Sequence, residues 1–135
     1  MTILNPSENL NSIISLIESA RKFLVIVSPF NDLNGWDNLK DAINKASSKK
    51  LDVRYYVREG EGRKGLGELN VNIFEVQMLH AKMFFTESKA MISSGNLTNR
   101  PDINWVIDLD KPDEYKKITG FFEKYIKPLA KPLEN

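Results

Sequence analysis

The single histidine of this 135-residue chain, His80, stands two positions before Lys82 and shortly before a Ser93-Ser94-Gly95-Asn96 cluster. A lysine beside a histidine disfavours the charged imidazolium and contributes little to a core. The pair makes better sense if both side chains face a shared anion. In an alternating strand, residues two apart project from the same side, so His80 and Lys82 are expected on one face. A turn around Glu87 and Ser88 then brings the chain back, placing Ser93–Asn96 beside His80. Serine hydroxyls, the Asn96 carboxamide and the backbone N–H groups around Gly95 are donors suited to phosphate oxygens. An imidazole, an ammonium group and a row of neutral donors on one point describe a phosphate site. The alternative is a half-buried histidine with a snorkelling lysine at a sheet edge. The serine–asparagine return on the adjacent strand favours the phosphate site.

The elements that must carry these residues follow from periodicity. Asn5-Pro6-Ser7-Glu8 reads as a capped helix start, and Leu10, Ile13, Ile14, Ile17 and Ala20 follow at helical spacing. "KFLVIVSPF" (22–30) is a continuous apolar run ended by Ser-Pro, as in a strand covered on both faces. Leu39, Ala42, Ile43 and Ala46 mark a second amphipathic helix, and "LDVRYYV" (51–57) a second strand. The helical crossover implies that these two strands are parallel. "REGEGRKGLGE" (58–68) reads as a loop and "VNIFEV" (71–76) as a third strand. "HAKMFFT" and "KAMIS" form a hairpin, and "INWVIDLD" (103–110) adds another strand. A last helix begins around Asp110 and Pro112, with Tyr115, Ile118, Phe122, Tyr125, Ile126 and Leu129 on its apolar face. Pro128 and Pro132 are expected to break the tail over 127–135, which frays. The order predicts one α/β domain over residues 1–135, with a mixed, largely parallel sheet flanked by helices.

Composition narrows the partners. The chain is 41% hydrophobic and 27% charged, with a formal net charge of +1. That balance carries no large basic field, so an anionic partner must be held by local patches. There is no cysteine, which excludes disulfides, thiolate catalysis and cysteine-ligated zinc and fits a reducing compartment. No apolar run reaches the roughly 18 residues of a membrane span, and no signal-peptide pattern is present. The expected location is the cytoplasm. Gly60, Gly62 and Gly65 match G-x-G-x-x-G, but the next strand follows too soon for a dinucleotide-binding helix. No cofactor is expected. With one histidine and no cysteine, a metal would have only carboxylates as side-chain ligands, so no metal site is expected either.

The run His80-Ala81-Lys82, four residues, Glu87, then Ser93-Ser94-Gly95-Asn96-Leu97-Thr98 resembles the H-x-K-x4-D and G-S-x-N signature of the phospholipase D superfamily. The order of helices and strands is similar to that fold over nearly the whole chain. Glu87 stands at the acid position, which in the family supports the turn, and Ser93 replaces the usual glycine. Asn104 matches the asparagine of a following Asn-x-Glu, but Val106 occupies its acid position, where the family's glutamate orients the histidine. Asp102, Glu87 or a carbonyl would have to substitute.

What the resemblance implies is metal-free phosphodiester transfer: His80 as nucleophile, with Lys82 and Asn96 holding the phosphoryl oxygens. Ser93, Ser94 and Asn104 would contribute to substrate binding, and Arg100 is the best further contact by position. Two histidines are needed and the chain has one, so the resemblance implies a homodimer with a shared site. Small single-motif members point to a nuclease acting on DNA or RNA. Alternatives are a phospholipase or other phosphodiesterase, or a weakened nucleic-acid or phosphate-binding module. The basic clusters Lys45, Lys49 and Lys50, and Arg58, Arg63 and Lys64, serve either as solvated faces or as substrate contacts.

Overall fold

The computed structural model describes residues 1–61 and 63–133; Gly62 of the glycine-rich loop and Glu134 and Asn135 of the tail lie outside the described residues. Along the chain run β1 (Thr2–Ile3), α1 (Asn9–Ser19), β2 (Phe23–Val27), α2 (Asp37–Ser48), β3 (Asp52–Arg58) and β4 (Asn72–Val76). The hairpin strands β5 (Met83–Thr86) and β6 (Ala90–Ser93) follow, then β7 (Val106–Asp108), α3 (Pro112–Phe121) and β8 (Lys131–Pro132). The strands form one eight-stranded sheet in the order β1-β7-β6-β5-β2-β3-β4-β8.

The sheet is mixed and flanked by helices, but its parallel share is smaller than the sequence suggested. Only β2–β3 and β3–β4 are parallel; β2–β5, β5–β6, β6–β7, β1–β7 and β4–β8 are antiparallel. The reason is connection length. The turn between β5 and β6 is too short for a crossover, while the segment through α2 and the segment over residues 59–71 are long enough to carry the two parallel connections.

Side-chain alternation divides the core into two layers. Leu24, Ile26, Tyr55, Phe84 and Met91 pack under α1 and α2 with Ile13, Leu16, Ile17, Leu39 and Ile43. Val25, Val27, Tyr56, Met83 and Phe85 pack under the C-terminal helix with Phe122 and Ile126. The continuous apolar run of β2 is thus explained: it is covered on both faces.

Three local expectations are corrected. Asn5 Oδ1 accepts from the Ser7 N–H and hydroxyl, capping a single 3₁₀ turn over Pro6–Glu8 that leads into α1. The last helix widens into a π-helical stretch over Phe122–Ile126. Phe122 and Ile126 stay buried, but Tyr125 and Leu129 turn outward, because the longer turn breaks the 3.6-residue register. The tail does not fray at Lys131–Pro132: β8 pairs with β4, and the Leu133 N–H donates to the Ile73 carbonyl at 2.8 Å.

Candidate active site

One end of the sheet gathers the candidate residues other than Glu87. β2 leaves it through Ser28-Pro29-Phe30, residues 79–82 enter it before β5, and residues 94–97 turn over it after β6. His80 and Lys82 were expected within a strand, yet β5 begins only at Met83. The ladder does extend one bond further, since the Ser93 N–H donates to the Lys82 carbonyl at 3.2 Å. This sets Lys82 beside Ser93, while Ser93 pairs with Val106 on the other side. His80 is exposed and Lys82 is half-buried.

The turn that follows β6 is fastened at both ends. The Ser93 hydroxyl donates to the Gly95 carbonyl (2.9 Å) and accepts from the Gly95 N–H (3.0 Å). The Leu97 N–H donates to Ser28 Oγ at 2.9 Å, and the Phe30 N–H to Asn96 Oδ1 at 3.1 Å. Ser94 Oγ accepts from the Trp105 N–H (3.0 Å) and donates to Asn104 Oδ1 (3.2 Å). Both asparagines are therefore held by their carbonyl oxygens, which leaves each Nδ2 group available to donate. Gly95 permits this approach: a Cβ there would stand 2.4 Å from the Asn104 carboxamide. The Asn104 backbone carbonyl accepts from Asn9 Nδ2 at 2.9 Å, tying the site to α1.

A buried chain of hydrogen bonds supports this turn from below, and the motif's spacing gave no sign of it. The Tyr55 hydroxyl donates to Asn31 Oδ1, and Asn31 Nδ2 donates to the Ser28 carbonyl at 2.7 Å. Burial pushes the Tyr55 phenol up, so it stays a donor. The sequence signal was the polar Ser28 and Asn31 directly after an apolar strand.

Neither carboxylate considered for orienting His80 does so here. Glu87 lies at the opposite end of β5, where Oε1 accepts from the N–H groups of Lys22 (2.8 Å), Arg21 (3.0 Å) and Phe23 (3.4 Å). Burial pushes its pKa up, but these backbone donors outweigh burial and hold it below the usual glutamate value. Asp102 is paired with Arg100 at 3.4 Å on the surface. Val106 is buried in the layer beneath α1.

A cavity of about 420 Å³ opens beside the turn, with Asn9, Trp36, Asn96, Arg100 and Asn104 in its wall. A larger one, about 800 Å³, lies at the far end of the sheet between α1, the Glu87 turn and the start of α3. The candidate donors Ser93, Asn96 and Asn104 line the smaller of the two.

No family model matches the sequence, and no curated protein matches it. Solved structures match the fold. Nuc from Salmonella typhimurium, a phospholipase D family member, superposes with a TM-score of 0.72 over 99% of both chains at 14% identity. NucT from Helicobacter pylori gives 0.75 over 98% of both chains at 16% identity. TrmBL2, an archaeal chromatin protein with its own mode of DNA binding, gives 0.64 over 98% of this chain and 53% of the other, at 11% identity. With its mixed sheet between helices and this topological match, the chain has the phospholipase D superfamily fold.

Proposed function

We propose that the protein is a metal-independent phosphodiesterase, a nuclease acting on DNA or RNA through a phosphohistidine. The carrying observation is the meeting of Lys82, Ser93, Asn96 and Asn104 at the sheet end that His80 approaches, with both carboxamides turned to donate. In this reading an imidazole nitrogen of His80 attacks phosphorus and the bond to the leaving oxygen breaks. His80 of a second copy supplies the proton to that oxygen. Water then attacks the phosphohistidine, giving up a proton to the second imidazole, and His80 is released. Lys82, Asn96 and Asn104 stabilise charge on the non-bridging oxygens, while Ser93 and Ser94 shape the turn that carries them. Glu87 has a structural role, and Arg100 contacts the flanking substrate.

The shared site requires a homodimer. The exposed apolar side chains Met78 (83%), Ile103 (90%) and Trp105 (48%) flank His80 and Asn104 in sequence and support an interface around the motif. Labelled DNA, RNA and phospholipid, each incubated in EDTA with wild type and His80→Ala, test the reading. Nucleic-acid cleavage in EDTA that His80→Ala abolishes is expected, since general acid–base help alone is about 10²–10⁴ in rate. Activity that needs added Mg²⁺ would refute the mechanism, and cleavage of lipid alone would move the substrate class.

A second reading is favoured by Val106: without a carboxylate there, the chain serves as a binding module that retains phosphate contacts without turnover. The fold match to an archaeal chromatin protein supports it. Tight oligonucleotide binding by a wild type that leaves every substrate intact decides for this reading.

A further inference from the structure

The sequence placed Arg58 in a flexible loop, but it is the last residue of β3. Its Nη1 donates to the Leu79 carbonyl at 3.3 Å, the group immediately before His80. Its guanidinium carbon lies 5.9 Å from the centre of the Phe30 ring, and Phe30 supplies the N–H that holds Asn96. The Arg58 N–H donates to the Pro29 carbonyl at 3.1 Å. This residue therefore touches two of the three segments that build the candidate site.

Among the described residues most of its donors have no partner. Guanidinium carries five N–H groups, and the described bonds use one. Among the described ion pairs, Arg54, Arg63 and Arg100 each meet a carboxylate, and Arg58 does not. A half-buried guanidinium left with an open fork suits a phosphate. Alternation along the strands separates it from Lys82. Tyr56, two residues before Arg58, belongs to the layer beneath the C-terminal helix. Phe84, two residues after Lys82, belongs to the layer beneath α1 and α2. The two cations thus approach the sheet end from opposite faces.

We propose that Arg58 binds a phosphate adjacent to the one held by Lys82 and Asn96, so that the site takes a strand of successive phosphodiesters. This rests on the phosphodiester reading above and deepens it to a nucleic-acid strand over a molecule with one isolated diester.

The test measures binding, so it does not depend on turnover. Fluorescence anisotropy in EDTA would follow a single-stranded tetranucleotide, intact or with one linkage made neutral as methylphosphonate, on the His80→Ala protein. Adding Lys82→Ala should remove the sensitivity at one linkage, and adding Arg58→Ala should remove it at the neighbouring one. Each loss is expected to be about tenfold in Kd, as for a charge-assisted hydrogen bond, and Arg58→Ala should lower the salt slope by about one. Arg58→Gln, which keeps a donor for the Leu79 carbonyl, should behave as Arg58→Ala and covers a folding defect in the latter. A purely structural arginine would weaken binding equally at every linkage, which overturns the proposal. So do coupling of both cations to the same linkage, a silent Arg58→Gln, and absence of binding by the His80→Ala protein. A wild type that cleaves nothing while the linkage pattern holds would refute the enzyme reading and leave this one standing.

Discussion

Replacing Glu87 with alanine removes the single carboxylate oxygen that gathers the start of β2. Of its three backbone donors, Lys22 at 2.8 Å and Arg21 at 3.0 Å have good hydrogen-bond lengths, while Phe23 at 3.4 Å is marginal. A hydrogen bond to a charged group contributes about 1.5–3 kcal/mol. Glu87 is only partly buried, so water can reach the freed N–H groups, and the low end applies to the two good bonds. The expected loss is about 2–3 kcal/mol, or roughly 6–15 °C in Tm for a chain of this size. Glu87→Gln keeps a neutral acceptor and should lose about half as much.

The pH dependence has a definite sign. The folded pKa lies below the ordinary value of 4.5, so the stabilisation is complete above the unfolded pKa and is lost as pH falls through the folded one. Thermal unfolding of wild type and both variants, at neutral pH and across the acid range below 4.5, measures it. The gap to Glu87→Gln should narrow in acid. A Glu87→Ala protein as stable as wild type would refute the structural reasoning. A folded Glu87→Ala protein without turnover would place the carboxylate in the chemistry instead.

Gly95→Ala should displace the Asn104 carboxamide, which a Cβ meets at 2.4 Å; loss of one such donor costs about 10²–10³ in kcat, and circular dichroism should report an intact fold. Full activity would show that Asn104 is dispensable. Val106→Glu buries a carboxylate beneath α1 and should cost about 2 kcal/mol or more in denaturant unfolding, while activity per folded molecule rises if an orienting acceptor is what the site lacks. Unchanged activity in the folded variant would mean another group already orients His80. Sedimentation at micromolar concentration should find a dimer, with sulfate raising Tm by binding the native state, and Ile103→Asp should yield monomers without turnover. A fully active monomer would refute the shared site.

Much of this was legible in the sequence because it is local. The apolar run of β2 and the helical spacing of Ile13, Ile17, Leu39 and Ile43 record which surfaces are covered, and burial acts residue by residue. The types and order of His80, Lys82, Ser93 and Asn96 are what the proposed anion site rests on, since donor chemistry is a property of each side chain. The tertiary structure decided what depends on distant partners. Strand alternation could not say that β5 lies beside β2 and makes the sheet mostly antiparallel. Nor could it send Glu87 to the backbone of residues 21–23. Arg58 read as one charge in a polar loop, and only the pairing of β3 with β2 and β4 put it beside Leu79 at the edge of the candidate site. Tyr125 and Leu129 fitted a helical face that the π turn withdrew from the core. Pairing and register are set by contacts between segments far apart in sequence, and no local pattern records which partner will win.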